Sequence, residues 1–233
     1  LAYAAADFLT KRKGKNVSRL RSNLERTKPN MTELDLDLLL IDAMRSNMRY
    51  WCDTFRFPDW SPERVRETVS VTNEHLLLDA ISAKTGVIVT LPHAGNWDHA
   101  GAYFCAKGIN LVTVVEHLKP EKLFLKFLSY RQAMGMEVLP LDGRVLGTLE
   151  QRLRQGALVA LIADRDLSRS GIAVTFFGAP SRMPPGPAIL ALKTDAPLIT
   201  AFVSYTETGI HIDFNQVSLP ASGSDEEKIS HIV

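Results

Sequence analysis

Residues 87–98 read VIVTLPHAGNWD, and this stretch decides the fold. Its first half is a continuous apolar run of strand length, and its second half is a short polar loop that turns into a helix start at Asn96. A strand whose residues are apolar on both sides is buried on both faces, as in a parallel sheet covered by helices on each side. Similar runs recur downstream, as LVTVV at 111–115 and ALVALIA at 157–163. Between them lie segments of helical spacing that stop at glycine. The expected order is a helix over 74–84 and Gly86, a strand over 87–92, a helix over 97–107 and Gly108, and a strand over 110–115. A helix over 120–134 and Gly135, a strand over 137–141, a helix over 145–155 and Gly156, and a strand over 157–163 follow. Glycine supplies the left-handed C-cap that such helix ends favour. After Asp164 the spacing predicts a short strand over 173–177, a helix over 186–194 and a terminal hairpin of strands over 197–205 and 209–215. The fold class is α/β: a single domain with a mostly parallel central sheet and helices on both faces.

Upstream of this core, residues 1–57 form a helical basic region of the same domain, with 58–233 as the α/β core. Thr32 is the N-cap of a long helix over 33–57, with Leu34, Leu38, Ile41, Met48, Cys52 and Phe55 expected on its buried face. Pro58 ends it, and Ser61-Pro62-Glu63 starts the next helix. Residues 1–28 hold eight basic and two acidic side chains, whereas the other 205 residues hold 19 basic and 24 acidic. A basic arm before a slightly acidic body suits an anionic membrane surface or nucleic acid; the alternative is a solvated helix end.

The 233 residues, 45% apolar and 23% charged, make an ordinary core and exclude a disordered, collagenous or coiled-coil chain. No stretch reaches the roughly 18–20 apolar residues that a spanning helix needs. Cys52 and Cys105 are read as reduced and structural. The chain opens on Leu1, not Met, and is expected to be a trimmed piece, so an anchor ahead of it stays open.

In an open parallel sheet, ligands gather where the strands end. His93 to Asp98 follow the strand at 87–92, Glu116 and His117 the next, Asp142 the next, and Asp164-Arg165-Asp166 the strand at 157–163. Titratable groups thus converge on one rim, which points to an enzyme. His93 and Asp98 are the leading pair: a carboxylate in the first helical turn can fix the imidazole tautomer and leave its other nitrogen to take a proton from an alcohol. The alternative is a capping Asp beside a satisfied loop His. Arg131 shares a helical stripe with Phe124, Phe127 and Met134, where a guanidinium needs either an internal carboxylate or a bound phosphate. His99 is expected at the surface, and Trp97, Tyr103 and Phe104 in the core rather than in an acyl groove. No GxSxG, Walker loop, GxGxxG or zinc-spaced Cys/His set occurs.

The segment Leu91-Pro-His-Ala-Gly-Asn-Trp-Asp98 resembles the signature of the H-x4-D lipid acyltransferases. Two further blocks, from Asp164 to Gly178 and from Arg182 to Ala188, look like one branch of that family. The branch holds the bacterial lipid A late acyltransferases and the actinobacterial phosphatidylinositol mannoside acyltransferases. The segment from Pro120 to Pro140 is also similar to the mannoside enzymes, and the likeness runs over about residues 50–205. One departure is that the mannoside enzymes tend to have Glu where this chain has Asp164. The resemblance implies a glycerolipid acyltransferase-like fold and transfer of a long-chain acyl group from acyl-CoA to a sugar hydroxyl of phosphatidylinositol mannoside. Under that reading His93, Asp98 and Asp164 are catalytic, with both carboxylates on the His93 ring. Arg131, Arg165 and Asp166 bind substrate, with Arg131 on the lipid phosphate and Arg165 held by an acidic neighbour. No metal or cofactor is expected beyond acyl-CoA as co-substrate, and no nucleic acid. The expected partners are acyl-CoA, a phosphorylated glycolipid acceptor and an anionic membrane surface, with the protein a peripheral monomer on the cytoplasmic face of the cell membrane. The rivals are a lipid A-type acyltransferase and a non-catalytic lipid-binding protein on the same fold.

Overall fold

The computed structural model describes residues 2–117, 119–166 and 171–233. It divides into two compact units, one comprising the residues up to Phe57 together with Thr175–Ala179, the other Pro58–Val174 and Pro180–Val233.

In the first unit, helices α1 (Ala2–Lys11) and α2 (Lys15–Thr27) pack on the long α3 (Glu33–Arg56). The Thr32 side chain caps α3 by accepting from the Asp35 amide at 3.2 Å. Only part of the expected face of α3 is covered, with Ile41, Met48 and Cys52 half-buried. Leu36 and Leu40 are buried, whereas Leu34, Leu38 and Phe55 are 71%, 53% and 48% exposed. The helix carries two apolar stripes, and only contact with α1 and α2 selects which is covered.

The second unit begins with α4 (Pro62–Glu67) and a strand the sequence reading did not anticipate, β1 (Val69–Thr72). Then come α5 (His75–Ser82), β2 (Val87–Leu91), α6 (Trp97–Ala106), β3 (Leu111–Val115), α7 (Glu121–Ala133) and β4 (Glu137–Pro140). The chain continues through α8 (Val145–Arg154), β5 (Leu158–Ile162), β6 (Ile172–Phe176), β7 (Ala179–Met183), α9 (Gly186–Thr194), β8 (Leu198–Tyr205), β9 (Ile210–Gln216) and α10 (Asp225–Ile232). Seven strands form one sheet in the order β1-β9-β8-β2-β5-β3-β4, and β6 and β7 form a separate ribbon. Every pairing in the large sheet is parallel except β8 with β9. The continuous apolar runs are the buried inner strands, as their composition requires.

Side-chain alternation divides the core. Ile88, Val112, Val159 and Leu198 face α8 and α9, packing on Leu149, Leu153, Leu190 and Ala191. Their neighbours Val89, Leu111, Leu158 and Ala160 face the other way, toward Leu77 of α5 and Ala100 and Phe104 of α6. Gly108, Gly135 and Gly156 follow α6, α7 and α8 with positive φ, as the sequence predicts. Gly86 has a different role: α5 ends earlier, and a Cβ at Gly86 would lie 2.4 Å from the Leu153 carbonyl oxygen. There the glycine permits close approach of two backbones rather than a cap.

Candidate active site

The site begins with strand order. The β5 strand inserts between β2 and β3, so β2 and β5 run side by side in register from Val87↔Leu158 to Leu91↔Ile162. One more ladder bond, from the Ala163 amide to the Leu91 carbonyl at 3.0 Å, carries the pairing past the strand ends. His93 and Asp164 each lie two residues beyond the last paired position, and neighbouring strands are about 4.8 Å apart, so side chains there reach each other. The His93 Nδ1 and Asp164 Oδ1 atoms are 2.7 Å apart, and the His93 backbone amide donates to Asp164 Oδ2 at 3.2 Å. One carboxylate thus holds both ring and backbone. An ionised carboxylate only accepts, so Nδ1 carries the proton and Nε2 keeps a lone pair. Nε2 makes no hydrogen bond among the described residues, and the His93 side chain is 37% exposed. Partial burial pushes the Asp164 carboxyl up, but the hydrogen bonds from the His93 ring and backbone outweigh it, holding it below the usual aspartate value.

The loop that presents His93 is built from its small residues. Gly95 sits at φ +60°, and a Cβ there would lie 2.4 Å from the Val203 carbonyl oxygen of β8, so glycine lets the loop lie against the next strand. The Asn96 side chain accepts from the His99 amide at 3.0 Å and caps α6. The Trp97 ring meets the His93 ring edge-on, with centroids 5.1 Å apart.

Asp98 lies elsewhere than expected. It is 8% exposed and bonded to Arg131 of α7, with Nε to Oδ1 at 2.7 Å and Nη2 to Oδ2 at 3.4 Å, and it makes no hydrogen bond to His93. The expectation that both carboxylates hold the histidine is corrected: Asp164 does, and Asp98 joins two helices. The same pair corrects the Arg131 assignment, because the guanidinium on its half-buried stripe is satisfied by an internal carboxylate and needs no phosphate. Arg165 also differs from expectation. It is exposed and makes no ion pair among the described residues, so no acidic neighbour holds it. Asp166 meets the residue before β6: its Oδ2 accepts from the Gly171 amide at 2.9 Å, while Arg182 Nη1 donates to the Gly171 carbonyl at 2.6 Å. His117 pairs with Glu121 at 2.6 Å and meets the Phe124 ring at a tilt, with centroids 4.5 Å apart.

His99, expected at the surface, is 1% exposed, packed edge-on against Trp60 and 3.1 Å from the Thr68 hydroxyl. It faces away from Asp98 as the helical spacing implies, but α4 covers that side. Phe104 is buried, and it and Trp97 also line an apolar cavity of about 60 Å³, which the core assignment missed. Val89, Leu91, Ala160 and Ile162 form its sheet wall, and Asp98 and Arg131 lie on its border. Tyr103 is not part of it and donates to Glu74 at 3.0 Å. The only hint in the sequence was an aromatic residue four positions after His93. Burial pushes the Cys105 thiol up to about 11, which leaves it protonated and poorly nucleophilic.

A histidine held by a carboxylate at the sheet rim, beside an apolar slot, is an arrangement that can act as a general base on a hydroxyl. The family model for bacterial lipid A biosynthesis acyltransferases matches residues 1–230, and the chain belongs to that family. It is 41% identical over 185 residues to a phosphatidylinositol mannoside acyltransferase of Mycobacterium tuberculosis, covering 77% of this chain and 58% of that protein. It is also 41% identical over 182 residues to the protein of that name in Mycolicibacterium smegmatis, covering 77% and 60%. The chain thus spans about three-fifths of the length of these relatives.

Proposed function

We propose that the protein transfers a long-chain acyl group from acyl-CoA to a sugar hydroxyl of phosphatidylinositol mannoside. The observation that carries this reading is the His93–Asp164 pair, with Nδ1 held at 2.7 Å, the side chain 37% exposed and Nε2 making no hydrogen bond among the described residues. In the proposed reaction Nε2 takes the hydroxyl proton as that oxygen attacks the thioester carbonyl. Asp164 stabilises the imidazolium that forms. Collapse of the tetrahedral intermediate breaks the carbon–sulfur bond, and the CoA thiolate leaves and receives the proton from His93. No acyl-enzyme forms. The apolar cavity beside Trp97 suits the start of the acyl chain, and the exposed Arg165 at the rim, which makes no ion pair among the described residues, suits the acceptor phosphate, which a guanidinium meets with two parallel donors. The acceptor class follows the names of the mycobacterial relatives.

The reading includes peripheral attachment to the cytoplasmic face of the membrane. No helix among the described residues is long and apolar enough to cross a bilayer. Lys11, Arg12, Lys13, Lys15, Arg19, Arg26 and Lys28 are exposed and make no ion pair among the described residues, a charge suited to anionic headgroups. The test is incubation with palmitoyl-CoA and purified mannosylated phosphatidylinositol, followed by mass spectrometry of the lipid. A product heavier by one palmitoyl group is expected, lost in His93→Ala by a factor of about 10² or more. Near-normal turnover in that variant, or a covalently acylated protein, refutes the mechanism.

A further inference from the structure

We propose that the turn Phe176–Phe177 is a wedge that inserts into the acyl layer of an anionic bilayer, an inference that rests on the membrane-bound reading above. The two-residue turn between β6 and β7 places Phe177 at φ 47° and Gly178 at φ 73°, both in the left-handed region. Hairpins turn this way readily with Asn-Gly, whereas a bulky aromatic residue at positive φ is strained. The tip nevertheless presents two rings, 51% and 56% exposed, whose centroids are 4.7 Å apart. Residues 172–181 read IAVTFFGAPS, with no charge, and neither strand of the ribbon contains a buried residue. Charged side chains are the usual protection of an exposed ribbon from unwanted association, and residues 172–181 supply none.

The compact unit that includes the tip shows what covers it. Of the fourteen exposed large apolar residues among those described, nine belong to that unit, including Tyr3, Phe8, Leu34, Leu38 and Phe55. The same unit carries the seven exposed basic residues of α1, α2 and their flanks that make no ion pair among the described residues. Cation and ring occur side by side, with the Arg12 guanidinium 4.9 Å from the Phe8 centroid and that of Arg45 5.8 Å from Tyr3. Rings for the acyl layer and cations for phosphate headgroups are the paired demands of an anionic membrane surface. A protein partner would match the rings but has no general need for so many exposed cations.

The test is flotation of the full chain with phosphatidylcholine–phosphatidylinositol vesicles at low and at high salt. Electrostatic attraction is largely screened at 1 M, where the Debye length is about 3 Å, so the residual binding reports insertion. Phe176→Ser/Phe177→Ser should lower that residual binding about tenfold or more. Phe177→Asn suits left-handed backbone and preserves the turn, and should lower it about threefold even where the double variant folds poorly. In Phe176→Trp, lipids brominated on their acyl chains should quench the added fluorescence. Unchanged high-salt binding in both serine and asparagine variants, or an unquenched Trp, overturns the wedge while leaving the membrane reading intact. A wild-type chain that binds no vesicle overturns both. Loss of a dimer in the double variant with unchanged vesicle binding assigns the tip to self-association and likewise overturns the wedge.

Discussion

Asp164→Asn is the change that separates the two carboxylates of the rim. Asparagine keeps the shape, but it cannot stabilise an imidazolium, and its amide can also donate, favouring the tautomer with the proton on Nε2. With the ring nitrogen 2.7 Å from the carboxylate oxygen, the charge centres are about 4 Å apart, where attraction is about 4 kcal/mol at an effective dielectric of 20 and about 1 kcal/mol in water. The pair is about one-third exposed, so the transition state should lose about 3 kcal/mol, or roughly 10²-fold in kcat. Asp98→Asn should act differently. It removes the charge that the guanidinium of Arg131, 17% exposed, meets at 2.7 Å, and costs stability of about 3 kcal/mol. That lowers Tm by several degrees, with kcat per folded molecule within a few-fold of wild type. Both variants should be assayed by steady-state acyl transfer, with the folded fraction taken from thermal unfolding. If Asp164→Asn stays within threefold of wild type, or if Asp98→Asn costs as much kcat per folded molecule, the assignment of the dyad is wrong.

Arg165→Ala should raise KM for the phosphorylated acceptor by about tenfold and leave KM for acyl-CoA unchanged, with Arg165→Lys recovering part. The reverse pattern in initial-rate kinetics would move Arg165 to the donor. Gly95→Ala should lower Tm and reduce kcat together, because the new Cβ meets the Val203 carbonyl at 2.4 Å and the loop holding His93 must shift. Wild-type kinetics in that variant would show the loop to be loose. Asp164 also sets an acid limb: its folded carboxyl titrates below the usual aspartate value, so it contributes stability that is complete above the unfolded value and lost as pH falls through the folded one. Denaturant titrations should therefore show a wild-type advantage over Asp164→Asn near neutral pH that vanishes in strong acid, and an advantage independent of pH would contradict the assignment.

Local chemistry was enough to make the fold class legible. Runs such as 87–91 and 158–162 cannot be half-exposed strands, since apolar side chains on both faces demand cover on both, and the glycines after α6, α7 and α8 mark where those helices must stop. The position of His93 at a strand end follows from the same pattern. What the chain could not reveal alone was adjacency. A carboxylate five residues from His93 and one 71 residues away compete for the same ring, and spacing favours the nearer. The insertion of β5 beside β2 reverses that, because two parallel strands in register deliver Asp164 to the ring while the first turn of α6 points Asp98 toward α7. Arg131 shows the same limit: its stripe announced a need for a partner, and only packing chose the carboxylate over a ligand. The buried stripe of α3 and the burial of His99 were likewise decided by which neighbours arrive. Helical and strand periodicity specify what a segment must bury, but contact between distant segments selects which face is buried and against what.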